Sequence, residues 1–143
     1  MTISRTPKMI ILAIISISLC YVAWRASQPL ISKSFLKGVL KLEELPSSIN
    51  NIKCDSNGIT EYMASCYFEI NPKDATLITL GLEMPLPIFD NKPSHDYSVV
   101  GGLVVGPTFT VRTVYSKALE NKGFIKILMN ETKSQVRVDI FQQ

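Results

Sequence analysis

Cys54 and Cys66 are the residues whose type and spacing point most directly to chemistry, because they are the only cysteines outside the apolar N-terminal stretch. An even pair of cysteines in an exported domain is typical of a disulfide bond. Closing a loop of this size would stabilise the fold by about 3 kcal/mol in the chain-entropy model. The alternative is two buried free thiols in a domain that faces the cytoplasm. The spacing is far from Cys-x-x-Cys, which argues against a redox-active pair.

His95 is the only histidine of the chain, and it stands in the run Ser94-His95-Asp96. These are the residue types of a hydrolase triad, but neighbouring side chains on an extended segment point in different directions, so a triad cannot form by adjacency. A single histidine with scattered carboxylates also gives no metal-ligating set. We therefore predict a protein without catalytic activity, metal or cofactor. The alternative is a small exported hydrolase that uses His95.

Charge and motif content exclude other classes of function. Residues 35–143 contain all 12 acidic residues and 11 of the 15 basic residues, a net charge of −1, so no surface is expected to bind nucleic acid. The glycines at 101, 102 and 106 lack the spacing of a phosphate-binding loop. The run Asn130-Glu131-Thr132 matches the acceptor pattern for N-glycosylation. This short pattern is common by chance, and modification of Asn130 stays open.

A run of 16 residues without a charge occupies positions 9–24, preceded by Lys8 and closed by Arg25. A membrane-spanning helix usually needs about 20 apolar residues, and the core of a signal peptide has about 7–15. Cleavage is disfavoured, because the bulky Tyr21 or Trp24 would stand where a small residue is needed. We predict an uncleaved transmembrane anchor, with a cleaved signal or a lipoprotein attached through Cys20 as alternatives.

This anchor predicts a single-pass protein of the inner (plasma) membrane that contacts the lipid bilayer through residues 9–24. The chain then divides into a cytoplasmic head at 1–8, the anchor, a linker at 25–34 and a soluble domain at 35–143. An eight-residue head rarely crosses a membrane, which favours a cytoplasmic N-terminus. The soluble domain is expected in the periplasm or outside the cell.

The remaining sequence predicts an α+β domain, with two main helices and an antiparallel sheet of about four to six strands. The apolar spacing of residues 34–45 predicts an amphipathic helix. Asn71-Pro72 opens a second helix, for which Gly81 is the terminator. Residues 116–121 are expected to form a short helical turn at most. Strands are predicted on both sides of Asn57-Gly58 and at 97–105, 108–115, 124–130 and 135–141.

The last two strands give the most specific structural prediction. Pairing them across a turn at 131–134 places apolar residues opposite one another on one side of the hairpin, with Ile125 facing Ile140. On the other side, the same register places Lys126 opposite Asp139. A shift of one residue would lose both the apolar face and the charge pair, so the pattern predicts a single register.

Residues 85–107 are rich in proline and glycine and form the longest irregular stretch of the predicted domain. Because long loops on a rigid scaffold often carry recognition, we expect a protein partner to bind here. The predicted function is that of a membrane-anchored, extracytoplasmic binding protein that contacts an envelope complex, or a toxin or enzyme that it neutralises. A structural subunit of an envelope assembly that makes its contacts through the anchor helix is the alternative. The candidate contact residues are Ile88, Phe89, Asp90, His95, Asp96 and Tyr97.

Overall fold

The computed structural model describes residues 6–57, 62–97, 105–120 and 122–142. The chain divides into two units, residues 1–31 and 32–143. The elements, in chain order, are α1 (Thr6–Leu40), β1 (Asn50–Asn57), β2 (Tyr62–Glu69), α2 (Ala75–Gly81), β3 (Ile88–Phe89), a 3₁₀ helix (Ser94–Tyr97), β4 (Thr113–Leu119), β5 (Gly123–Met129) and β6 (Gln135–Gln142).

The membrane anchor predicted at residues 9–24 is wrong. In the ranges described above, no helix has both the length and the apolar character needed to cross a bilayer. The physical reason lies in the length of the uncharged run. Sixteen helical residues cover about 24 Å of an apolar layer that is about 30 Å thick. The predicted single-pass location in the inner membrane is corrected with it, whereas a contact of residues 9–24 with a bilayer stays a prediction.

Helix α1 also differs from the sequence prediction at its two other boundaries. It remains helical through residues 25–34, where a linker interrupted by Pro29 was expected. It ends at Leu40, whereas the amphipathic pattern extended to residue 45. The next residue, Lys41, has a positive φ of 51°. A left-handed residue directly after the last turn is a common way for a helix to end.

All six strands form one antiparallel sheet in the order β1-β2-β6-β5-β4-β3. The strand number lies within the predicted range, and the described residues contain three helices rather than two. The β5–β6 register is the predicted one, with Ile125 opposite Ile140 and Lys126 opposite Asp139. The predicted disulfide between Cys54 and Cys66 is confirmed, and it joins facing residues of β1 and β2.

Strand β4 lies further along the chain than the β-branched pattern indicated. It spans 113–119, so residues 116–119 are extended rather than helical. Pairing with β5 explains the shift, because Lys117 and Leu119 lie opposite Ile125 and Gly123. Residues 58–61 and 98–104, which carry most of a predicted turn and of a predicted strand, lie outside the described residues.

Both faces of the sheet are covered. On the first face, the end of α1 and helix α2 pack through Leu36, Leu40 and Ile78 against the central strands. On the second face, the extended segment 105–112 covers the sheet, with Phe109 and Val111 buried against it. The core residues of the second face are Tyr67, Phe109, Val111, Val114 and Leu128.

Candidate functional site

Three highly exposed apolar residues of the domain lie close together at residues 85–89, a stretch that follows α2 and ends with β3. The exposed fractions are 92% for Leu86, 67% for Ile88 and 70% for Phe89. Strand β3 lies at one edge of the sheet, and in the described part of the chain its two residues pair only with Val114 and Thr113 of β4. Adjacent large apolar side chains that stay in water are characteristic of interaction surfaces. We call residues 85–89 the apolar segment.

The N-terminal end of the apolar segment is attached to β4 through Lys117. Its Nζ donates a hydrogen bond to the Leu82 carbonyl oxygen at 2.8 Å and lies 3.6 Å from the Glu83 carboxylate. Glu83 has a positive φ of 50°, which turns the chain sharply out of α2. Met84 then packs against the core, and its N–H donates to the Thr79 carbonyl at 3.0 Å. The segment therefore leaves the domain from a fixed point.

The C-terminal end is fixed by Asp90. Its carboxylate accepts a short hydrogen bond from the Tyr97 hydroxyl, and its N–H donates to the Arg112 carbonyl at 3.1 Å. Burial, followed by the hydrogen bond to Asp90 and the Asp90 charge, raises the pKa of Tyr97 to about 12. The same hydrogen bond is the main cause that lowers the pKa of Asp90 below its ordinary value. The hydroxyl therefore stays protonated, and the bond stays formed, across the physiological pH range.

Beyond Asp90 the chain is held on the domain by a second ladder of backbone bonds. The Ser94 N–H donates to the Phe109 carbonyl at 2.8 Å, and the Val111 N–H donates to the Lys92 carbonyl at 2.9 Å. The Phe109 N–H is bound in turn by the Ser94 hydroxyl at 3.2 Å. Because Phe109 and Val111 are buried in the second face, this ladder connects the apolar segment to the core. A segment fixed at both ends loses little conformational entropy when a partner binds it.

The six predicted contact residues divide into three pairs. Ile88 and Phe89 are exposed on the edge strand, as a binding surface requires. Asp90 and Tyr97 are hydrogen-bonded to each other and hold the C-terminal end of the apolar segment in place. His95 and Asp96 lie on the 3₁₀ helix, with 3.1 Å between Nε2 and Oδ1 and about half of each side chain exposed. A contact of any of these residues with a partner stays a prediction.

Sequence reasoning missed two parts of this site. Leu86 is its most exposed residue, and the available signal was a leucine placed between Pro85 and Pro87, where no regular element can bury it. The attachment through Lys117 and Glu83 gave no signal, because these residues are far apart in the chain. Composition indicated an irregular region, and the candidates drawn from it included Ile88 and Phe89 but not Leu86.

A network of polar side chains surrounds Glu69, at the end of β2. It was not predicted from the sequence. Its carboxylate accepts hydrogen bonds from the Tyr67 hydroxyl at 3.1 Å and from Asn51 Nδ2 at 2.8 Å. Gln135 Nε2 donates to the same Tyr67 hydroxyl at 3.3 Å. Burial is the main cause that raises the pKa of Tyr67. Beside this network lies an open cleft of about 540 Å³, lined by Asn51, Lys53, Tyr67, Glu69, Gly106 and Pro107.

A buried ion pair lies in the second face of the sheet. Arg137 donates to Asp139 Oδ2 through Nε at 3.1 Å and through Nη2 at 2.9 Å, and Ser65 donates to Asp139 Oδ1 at 2.7 Å. Burial raises the pKa of Asp139 above its ordinary value of 3.8, and the Arg137 charge opposes that rise. Among the described residues, Arg137 Nη1 has no hydrogen-bond partner. The side chains of the pair are 1% and 2% exposed, so it supports the fold rather than a contact with solvent.

Neither a metal site nor a relative adds to this geometry. Within the described ranges, no group of three His, Cys, Asp or Glu side chains is arranged to hold a metal ion. No family model, no curated protein and no solved structure matches the chain. A function is therefore inferred from the exposed and buried residues themselves.

Proposed function

We propose that this chain is a non-catalytic binding protein that contacts a protein partner through the apolar segment 85–89. The observation that carries the proposal is the exposure of Leu86, Ile88 and Phe89 on a segment that is fixed at both ends. Three large apolar side chains held in water are costly to a monomer, at about 25 cal/mol for each Å² of apolar surface. Transfer of that surface to a partner recovers this free energy.

The shape of the segment indicates the kind of partner. Strand β3 has only two residues, and Pro85 and Pro87 lack the N–H groups that a further strand would require. The segment therefore suits insertion into a concave apolar pocket better than the addition of another strand. Leu86 is the central anchor, because it is the most exposed of the three residues. An enzyme or toxin with an apolar cleft, which the bound segment would block, fits this arrangement.

The test compares three single substitutions in the full chain. Leu86→Asp and Phe89→Asp place a charge on the segment, and Leu80→Asp is the matched control, because Leu80 is 71% exposed on α2. Each protein is cross-linked in extracts of its source cells, and the cross-linked partners are quantified by mass spectrometry. We expect one partner to fall at least tenfold with both segment variants and to be unchanged with the control. Equal recovery by all four proteins, or equal loss with Leu80→Asp, would reject the segment as the contact surface.

Two other functions have less support. The hydrolase that uses His95 remains a prediction, and complete loss of a measured activity in His95→Ala would favour it. The structural subunit that makes its contacts through the helix at residues 9–24 also remains a prediction.

A further inference from the structure

The first strand of the sheet has an open outer side. Strand β1 spans eight residues, Asn50–Asn57, and in the described part of the chain no strand pairs with it except β2. An edge strand of this length presents backbone N–H and C=O groups on which another extended chain can add. The identity of that chain follows from which backbone groups are available and from the charges beside them.

The disulfide shows which residues of β1 turn their backbone groups outward. The Cα atoms of Cys54 and Cys66 are 4.1 Å apart, the close spacing of a pair that exchanges no backbone hydrogen bonds. The N–H and C=O of Cys54 therefore point away from β2. Ser56 has the same orientation two residues later, and its N–H is bound by the Asp55 carboxylate at 2.8 Å rather than by β2. Cys54 and Ser56 thus carry backbone groups that face outward from this edge.

Two charged residues flank Cys54 on one face of the sheet. Lys53 lies opposite Tyr67 and Asp55 lies opposite Ser65, so both point to the second face. Both side chains are exposed, and neither forms an ion pair with a described residue. When one Lys-x-Asp segment lies antiparallel to a second, the Lys of each segment faces the Asp of the other. Antiparallel pairing of two copies of β1 gives this arrangement.

We propose that β1 pairs antiparallel with β1 of a second copy of this chain, in a register centred on Cys54. This register joins Cys54 to Cys54 through the outward backbone groups and places Lys53 of each copy opposite Asp55 of the other. These charged pairs fall at the close, non-hydrogen-bonded positions, where side chains interact most strongly. The contact is two-fold symmetric, so each ion pair occurs twice. The two sheets become one sheet of twelve strands.

Two neighbouring registers of the β1–β1 contact would also pair the outward backbone groups, but both are disfavoured by charge repulsion. A shift in one direction places Lys53 opposite Lys53, and a shift in the other places Asp55 opposite Asp55. Like charges directly opposite each other destabilise a strand pair. The β-bulge between Asn50 and Lys53 ends the regular edge on one side, so the contact is short. A short contact predicts a weak dimer that depends on protein concentration.

Asp55 has a different partner in each state. In the single chain it binds the outward N–H of Ser56 and so shields part of the open edge. In the dimer it turns to Lys53 of the second copy and releases that N–H toward the second strand. High salt therefore favours the single chain, because it screens the two exposed ion pairs.

The experiment is sedimentation velocity of the full chain over a range of concentrations. Lys53→Asp gives each copy two acids at the contact, and Asp55→Lys gives it two bases, so both like-charge variants should dimerise at least tenfold more weakly than the natural chain. An equimolar mixture of the two variants should form a heterodimer, because every Asp then faces a Lys. Lys73→Asp and Glu131→Lys are the matched controls, since they make the same charge changes at exposed positions outside β1. Thermal unfolding of each variant checks that the fold is retained.

Several results would overturn the proposal. The natural chain could remain monomeric at the highest concentration, or the two variants could fail to associate when mixed. Self-association that persists equally in Lys53→Asp and Asp55→Lys would place the contact on another surface. Loss of association in the matched controls would show an effect of net charge alone.

Discussion

Replacing Arg137 by methionine tests whether the second face of the sheet depends on its buried ion pair. Methionine retains an unbranched apolar stem of similar reach, so the change removes the charge and its hydrogen bonds while leaving most of the packing. Asp139 is then left in the core with Ser65 as its one remaining donor among the described residues. The side chain of Asp139 is 2% exposed, so water cannot replace what is lost.

The magnitude follows from the bonds that are broken. Two charge-assisted hydrogen bonds are worth about 1.5–3 kcal/mol each. Arg137 Nη1 is buried without a hydrogen-bond partner among the described residues, so its removal relieves the folded state of a desolvation penalty of about 1–3 kcal/mol. The net loss for Arg137→Met is therefore about 3 kcal/mol at pH 7, within the range found when one partner of a buried pair is removed. The double variant Arg137→Met/Asp139→Leu should recover at least half of this loss, because no charge then remains buried.

The pH dependence gives a second, independent readout. The pKa of Asp139 is raised in the folded chain, so the folded state binds its proton more tightly than the unfolded state does. Its contribution to stability is then greatest below 3.8 and is lost as the pH rises through the folded pKa. Arg137→Met removes the charge that opposes the rise, and the folded pKa moves further up. The stability deficit of the variant should therefore shrink as the pH falls from 7 toward 4.

Urea unfolding at pH 7, 5.5 and 4 measures both effects for the natural chain, the single variant and the double variant. A single variant as stable as the natural chain at pH 7 would show that the ion pair contributes nothing to the fold. A deficit of about 3 kcal/mol that did not change with pH would show that lost packing, rather than the charge of Asp139, is its cause.

Three further predictions concern stability, each measured by urea unfolding. Reduction of the Cys54–Cys66 bond, which spans 12 residues, should lower the free energy of unfolding by about 3 kcal/mol, and an unchanged midpoint would contradict this. Gly106→Ala should cost about 2 kcal/mol or more, because Gly106 has a φ of 80° and a methyl group there would overlap the Tyr67 ring. Leu40→Ala should cost about 2–5 kcal/mol, because Leu40 is fully buried between α1 and the sheet, and a loss below 1 kcal/mol would show that α1 is not part of the core.

The β5–β6 hairpin could be predicted because two local patterns agreed. Apolar residues alternate on both strands, and one register satisfies them together with the pairing of Lys126 and Asp139. The environment of the charged side could not be predicted in the same way. Alternation of this kind is typical of a sheet with one wet face, yet Asp139 is buried and forms its ion pair with Arg137 of its own strand. The cover comes from segment 105–112, and nothing in the hairpin sequence specifies it.

The candidate site shows the same limit. The largely irregular character of residues 85–107 could be predicted from composition, because prolines and glycines disfavour long helices and strands. Composition could not distinguish the exposed residues Ile88 and Phe89 from Asp90, which is held by a hydrogen bond within the domain. The role of Tyr97 depends on the 3₁₀ helix that brings its hydroxyl to Asp90. The prediction of an anchor at 9–24 was wrong because the length of the uncharged run lies between that of a membrane-spanning helix and that of a signal-peptide core.

The contacts proposed for the two edges of the sheet differ, and together they give one further prediction. The β3 edge ends in a short apolar segment suited to a pocket, whereas the β1 edge is long, polar and self-complementary in charge. These strands lie at opposite ends of the sheet, so a dimer through β1 leaves both apolar segments free. We expect such a dimer to bind a densely immobilised partner through two segments and to be released about 100-fold more slowly, or slower still, because of avidity. Lys53→Asp, which does not alter the segment, should abolish this slow release on a dense surface and leave release from a sparse surface unchanged. Equal dissociation of both proteins from the dense surface would show that the two edges act independently.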